Sequence, residues 1–230
     1  MKNILLIGGS YGIGLEIARQ LSSTTHVFVA SRTSENIPQN VTHLSFDVLS
    51  DDITTLDLPE QIDGFVYCPG SINLRPFKAL KPEAFEKDLH INFISLVKVV
   101  HGILPRLKMA DQASLVFFST VAVKVGMPFH TSVAAAKGAI EGFAKALAAE
   151  YAPAFRVNVI APSLTDTPLA GKLVSSEEKK EKMGERHPLK RIGDVADIAN
   201  MTTFLLSDKS SWMTGQILGV DGGKSTLNIA

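Results

Sequence analysis

Gly8-Gly9-Ser10-Tyr11-Gly12-Ile13-Gly14 decides how the rest of the chain is read. It lies between the apolar run Ile4-Leu5-Leu6-Ile7 and a segment with helical spacing, Leu15-Glu16-Ile17-Ala18-Arg19-Gln20-Leu21. Strand, glycine turn, helix is the arrangement that grips a phosphate. The turn must be sharp, its N–H groups must be open to an anion, and the helix N-terminus adds partial positive charge. Gly8, Gly12 and Gly14 follow G-x-x-x-G-x-G, one residue longer than the G-x-G-x-x-G dinucleotide fingerprint, so the turn should differ in shape while keeping its physics. An ordinary tight turn is the competing reading of this run taken alone.

Outward from that run the chain alternates. His26–Ser31, Val41–Phe46, Asp63–Cys68, Ser114–Phe118, Phe155–Ile160 and Gln216–Val220 read as short buried strands. Pro82 to about Ile103, Thr131 to about Tyr151, and Asp194–Leu206 carry helical spacing. Links 33–40 and 49–60 contain Pro38 and Pro59 and leave little room for long helices. Strands apolar on both faces, alternating with helices, predict an α/β fold. The expectation is one domain over residues 1–230, a doubly wound parallel sheet of about seven strands with helices on both faces and ligands at the strands' carboxyl ends. Residues 164–188 follow the sixth strand and include the charged run Ser175 to Lys182, read as a solvated helix face or a lid.

Composition narrows the partner. With 230 residues and 45% hydrophobic content the chain can bury one substantial core. Lys plus Arg and Asp plus Glu balance at 23 each, so no global field favours nucleic acid or an anionic membrane, and a small molecule is the expected partner. The lone Cys68 excludes an internal disulfide framework, and no apolar run reaches membrane-span length. A cytoplasmic protein is expected. The six histidines show no paired metal-ligand spacing, so no metal is expected.

From Gly8 to Gly223 these marks, in this order, resemble the short-chain dehydrogenase/reductase family. They are the glycine run, Asp47-Val48 after the third strand, the turn ending at Gly70, Asn92, Lys137, Arg156-Val157-Asn158 leading to Pro162 and Thr167, and the tail Thr214-Gly215-Gln216 to Val220-Asp221-Gly222-Gly223. The resemblance implies a Rossmann-like domain that transfers hydride between a nicotinamide cofactor and a carbonyl, alcohol or quinone. It also implies that Gly8, Ser10, Tyr11, Gly12, Ile13, Gly14, Ser31, Arg32, Asp47, Val48, Gly70, Lys137, Pro162 and Thr167 hold the cofactor. By the same resemblance Asn92, Thr120 and Lys137 are the catalytic residues. Thr120 stands where the family has serine and keeps a hydroxyl. Val133, four residues before Lys137, stands where the family has the tyrosine that exchanges the proton. Milder departures are Ile7, Tyr67-Cys68-Pro69 and Ser163.

Ser31 ends the second strand where a carboxylate would bind a ribose hydroxyl, and Arg32 follows; NADP(H) is therefore expected over NAD(H). Small residues along the long helix, together with the resemblance, predict a homotetramer or homodimer. With no phenol at position 133, tight NADPH binding and slow reduction of ordinary ketones are expected, with water, Thr120 or His130 as the proton source. A catalytically silent NADP(H)-binding sensor or assembly protein is the alternative.

Overall fold

The computed structural model describes residues 1–228. Seven strands, β1 (Asn3–Ile7), β2 (His26–Ser31), β3 (Thr42–Ser45), β4 (Gly64–Tyr67), β5 (Ala113–Phe118), β6 (Phe155–Pro162) and β7 (Ile217–Val220), form one sheet in the order β3-β2-β1-β4-β5-β6-β7. Every pairing is parallel. The chain leaves β1 toward β2 on one side and returns to β4 on the other, so the crevice that such sheets use for ligands opens at the carboxyl end of β1.

Strand alternation divides the core in two. Leu5, Ile7, Phe65, Tyr67, Leu115, Phe117, Val157 and Val159 face α3 (Ser95–Leu107) and α5 (Thr131–Tyr151), packing with Ile103 and Ile140. Ile4, Leu6, Val27, Val29, Val66, Val116 and Ile160 face α1 (Gly12–Leu21) and α7 (Val195–Leu206), packing with Ile17, Ile198 and Leu205. Buried Asn158 ties β6 to the approach of β7: its Nδ2 donates to Met213 O at 2.9 Å and its Oδ1 accepts from Gln216 N at 3.1 Å.

Three local features depart from the sequence reading. α1 starts at Gly12 rather than Leu15, directly out of the glycine turn. The helix expected over 82–103 is three pieces: α2 (Pro82–Leu89), a π-helical turn (His90–Ile94) and α3, which continues through Pro105 to Leu107. The cause is local. Asn92 Nδ2 donates to Asp88 O, four residues back, at 2.8 Å, and the Tyr67 phenol donates to Ile91 O at 2.7 Å, so side chains satisfy carbonyls at the bulge. A further short helix, α4 (Val121–Lys124), follows β5 because Thr120 caps it. The link between β3 and β4 holds a single helical turn, Ile53–Thr55.

Candidate active site

At the carboxyl ends of the strands lies a cleft of about 880 Å³. The glycine turn forms one end. Gly8 (φ +79°) and Gly12 (φ +58°) adopt the left-handed region that side chains resist. A Cβ on Gly14 would stand 2.3 Å from Gly8 O, so only glycine lets α1 begin this close to the turn. Thr167 and Pro168 close over the turn, 3.7–3.8 Å from where a Gly12 Cβ would be. This cradle, with a helix N-terminus above it, fits a pyrophosphate.

Beside the turn, the end of β2 carries hydroxyls and a cation. Thr33 Oγ1 donates to Ser10 Oγ at 2.9 Å, Ser31 Oγ donates to Thr33 O at 2.8 Å, and Arg32 is exposed at the cleft wall. Asp47 is the only carboxylate among the described cleft-lining residues. Its Oδ1 accepts from Leu49 N at 3.0 Å, which shapes the turn after β3.

At the other end α5 presents Lys137. Its Nζ donates to Phe118 O at 2.9 Å and would lie 3.3 Å from a Cβ on Gly70. Burial pushes this ammonium down to about 8, opposed by the nearby Cys68. Burial likewise pushes the Cys68 thiol up to about 12, so it stays protonated and is no nucleophile. Thr120 Oγ1 accepts from Ala122 N at 3.3 Å as a helix cap, which leaves its hydroxyl proton available. Ser119 also lines the cleft, but its hydroxyl donates to Glu141. Val133 is buried in the same wall. Ile72, Leu74, Met127, Phe129, Leu169 and Leu173 make the remainder of this end apolar.

The cleft brings together Gly8, Ser10, Tyr11, Gly12, Ile13, Gly14, Ser31, Arg32, Asp47, Val48, Gly70, Thr120, Lys137, Pro162 and Thr167. Asn92 is the exception. It is fully buried and does not line the cleft: Nδ2 is engaged by Ser71 Oγ at 2.9 Å and by Asp88 O, and Oδ1 has no partner among the described residues. Nδ2 thus supports the π-helical turn, while the unpartnered Oδ1 lies 3.0 Å from where a Gly70 Cβ would stand, a spot that Lys137 Nζ approaches at 3.3 Å. Nor does another tyrosine replace the missing phenol. Tyr67 is bound to Ile91 O, Tyr151 stacks on Phe155, and Tyr11 belongs to the glycine turn.

The expected lid over 164–188 holds a short helix, α6 (Glu177–Gly184), and contributes Leu164, Leu169, Leu173, Met183 and His187 to the cleft. One pair was not foreseen. His187 Nδ1 lies 3.0 Å from Met183 O and its Nε2 lies 2.8 Å from Ser163 Oγ, so the two ends of the lid are joined. A carbonyl can only accept, which places the proton on Nδ1 and makes Ser163 the donor to the neutral ring. Nothing in the spacing of Ser163 and His187 could have signalled this contact. Among the described residues no cluster suits a metal ion, and no helix is long and apolar enough to cross a membrane.

Comparison with known proteins agrees with this geometry. Residues 8–225 match the family described as Enoyl-(Acyl carrier protein) reductase. The chain is 30% identical over 241 residues to Dehydrogenase/reductase SDR family member 4 of Homo sapiens, covering 96% of this chain and 87% of that protein. Its fold is similar to ligand-free aldohexose dehydrogenase of Thermoplasma acidophilum, with a TM-score of 0.88 and 25% identity, covering 100% of this chain and 96% of that one. It is also similar to a variant of actinorhodin polyketide ketoreductase with NADPH, with a TM-score of 0.90 and 25% identity over 98% of each chain.

Proposed function

Because this chain belongs to the short-chain dehydrogenase/reductase family, we propose that it is an oxidoreductase transferring hydride between NADP(H) and a small apolar carbonyl, alcohol or quinone. The observation that carries this is the single cleft in which the glycine cradle, Arg32, Lys137 and Thr120 meet. When bound, the nicotinamide supplies or accepts the hydride. Gly8, Ser10, Tyr11, Gly12, Ile13 and Gly14 hold the pyrophosphate and adjoining ribose, Ser31 and Arg32 the 2′-phosphate, and Asp47, Val48, Gly70, Pro162 and Thr167 the rest of the cofactor. The ketoreductase with NADPH supports the choice of cofactor by likeness. Lys137 holds the nicotinamide ribose and Thr120 orients the substrate oxygen with a hydrogen bond from its hydroxyl. The apolar lid and the walls around Ile72 and Leu173 exclude water and select an apolar substrate.

Val133 favours the second reading, a silent NADP(H)-binding protein, because an isopropyl group cannot exchange a proton. NADPH oxidation across a panel of aldehydes, ketones and quinones, run beside a calorimetric NADPH titration, separates the two. Turnover supports the enzyme; binding without turnover supports the silent protein. We further propose a homo-oligomer packed through the exposed small residues Ala135, Gly142, Ala146 and Ala149 of α5. Light scattering should give a dimer or tetramer mass, and Gly142→Arg should lower it.

A further inference from the structure

The geometry points to His130 as the general acid and base of this site, taking the place of the absent phenol at position 133. The inference rests on the hydride-transfer reading above. His130 lines the same cleft as Thr120, Val133 and Lys137. It is the residue at the N-terminal cap of α5, so 130, 133 and 137 recur at intervals of three and four along one helix face. His130 precedes Val133 by about one turn of chain and lines the cleft together with Met127, Pro128 and Phe129, at its apolar end.

Two local contacts aim it. His130 Nδ1 lies 2.7 Å from Pro128 O. A carbonyl only accepts, so Nδ1 keeps a proton in every state, and Nε2 is the nitrogen that gains or loses one. Among the described residues Nε2 has no bond to the protein. The preceding Phe129 has φ +69°, a left-handed conformation costly for an aromatic residue, and it is pinned by Arg75 N donating to Phe129 O at 3.2 Å. Backbone strain immediately before a free imidazole nitrogen in a cleft is the pattern of a positioned proton donor.

The other groups at this end do not serve. The Cys68 thiol is locked protonated, both nitrogens of His187 are engaged, and Lys137 is two turns deeper. Tyr11 and Asp47 belong to the far end. The charged side chains that line the cleft with His130 are Lys137 on its own helix, Arg186 and Lys224, and, at the glycine end, Arg32 and Asp47; Arg75 reaches this segment through its backbone N–H to Phe129 O. In reduction, the carbonyl carbon receives hydride from the reduced nicotinamide while the C=O π pair moves onto oxygen. The Nε2 proton passes to that oxygen. Alcohol, oxidised nicotinamide and neutral His130 remain, and solvent reprotonates the ring. Oxidation runs the same transfers backward.

The test compares wild type, His130→Ala and His130→Ala/Val133→Tyr. His130→Ala should lower kcat for ketone reduction by about 10²- to 10⁴-fold, with NADPH affinity unchanged by calorimetry, and the double variant should recover activity. Nitrogen NMR of the ligand-free protein should find Nδ1–H as the neutral tautomer. Ketone turnover unaffected by His130→Ala, or an Nε2–H tautomer, overturns the assignment and leaves the hydride-transfer reading standing. Tight NADPH binding with no turnover of any substrate overturns both, and no NADPH binding overturns the cofactor reading on which both depend.

Discussion

Val133 and Lys137 lie one helical turn apart on α5, both buried in the wall of one cleft, with the Lys137 ammonium 2.9 Å from Phe118 O. An apolar side chain thus stands where its neighbour would stabilise a phenolate. On the proposed reading the site keeps its cation without a phenol beside it.

In the His130→Ala background, Val133→Tyr should therefore raise turnover of ordinary ketones. A positioned general acid contributes roughly 10² to 10⁴ in rate, and the Lys137 ammonium one turn away would favour the ionised phenol. Steady-state kinetics on an apolar ketone checks this. Quinones, which need less proton assistance, should gain less. An unchanged ketone rate with NADPH affinity intact would show that the ring does not reach the substrate.

Lys137 carries a stability cost that can be measured. Burial depresses its folded pKa to about 8, below an unfolded value of about 10.4. Between those values the unfolded chain binds more protons, so stability rises with pH across that window, and the full penalty is present below pH 8. Lys137→Met should stabilise the ligand-free protein at pH 7 by up to about 3 kcal/mol while abolishing hydride transfer. Denaturant unfolding at pH 7 and above 10.4 tests the sign: the advantage should shrink at the higher pH.

Arg32 should set the cofactor preference. Arg32→Glu removes a charge-assisted contact of about 1.5–3 kcal/mol, so NADPH affinity should fall by about tenfold to a hundredfold, while NADH affinity holds or improves. Equal effects on the two cofactors would place the 2′-phosphate elsewhere.

Gly14→Ala forces a Cβ against Gly8 O, 2.3 Å away in the present backbone. Displacing α1 from the turn should cost about 1–3 kcal/mol of stability and weaken NADPH binding at least about tenfold. Thermal unfolding and calorimetry read the two effects separately.

Much of this was legible in the residues. Alternation of Ile4 and Leu6 against Leu5 and Ile7 is what divides the core between two helical layers, and the glycine run marks the end of β1 where the cleft opens. The walls of the glycine end follow from local chemistry: Gly8, Gly12 and Gly14 shape the turn, and Ser31 and Arg32 end the second strand beside it. The catalytic end does not. Asn92 Nδ2 is held by Asp88 O and by Ser71 Oγ, and its Oδ1 is aimed at Gly70, an arrangement that spacing cannot report. The same holds for Ser163 and His187, 24 residues apart, and for the Phe129 backbone that aims His130.

The central claim is that the cleft passes hydride in spite of Val133. The direct measurement is a single turnover with NADPH deuterated at C4, wild-type protein in excess, and apolar aldehydes and ketones as acceptors. The account predicts deuterium on the carbinol carbon of the product, at a rate that His130→Ala lowers. NADPH held tightly, with no label transferred to any acceptor at any pH, would contradict it and make this chain a nucleotide-binding protein without chemistry.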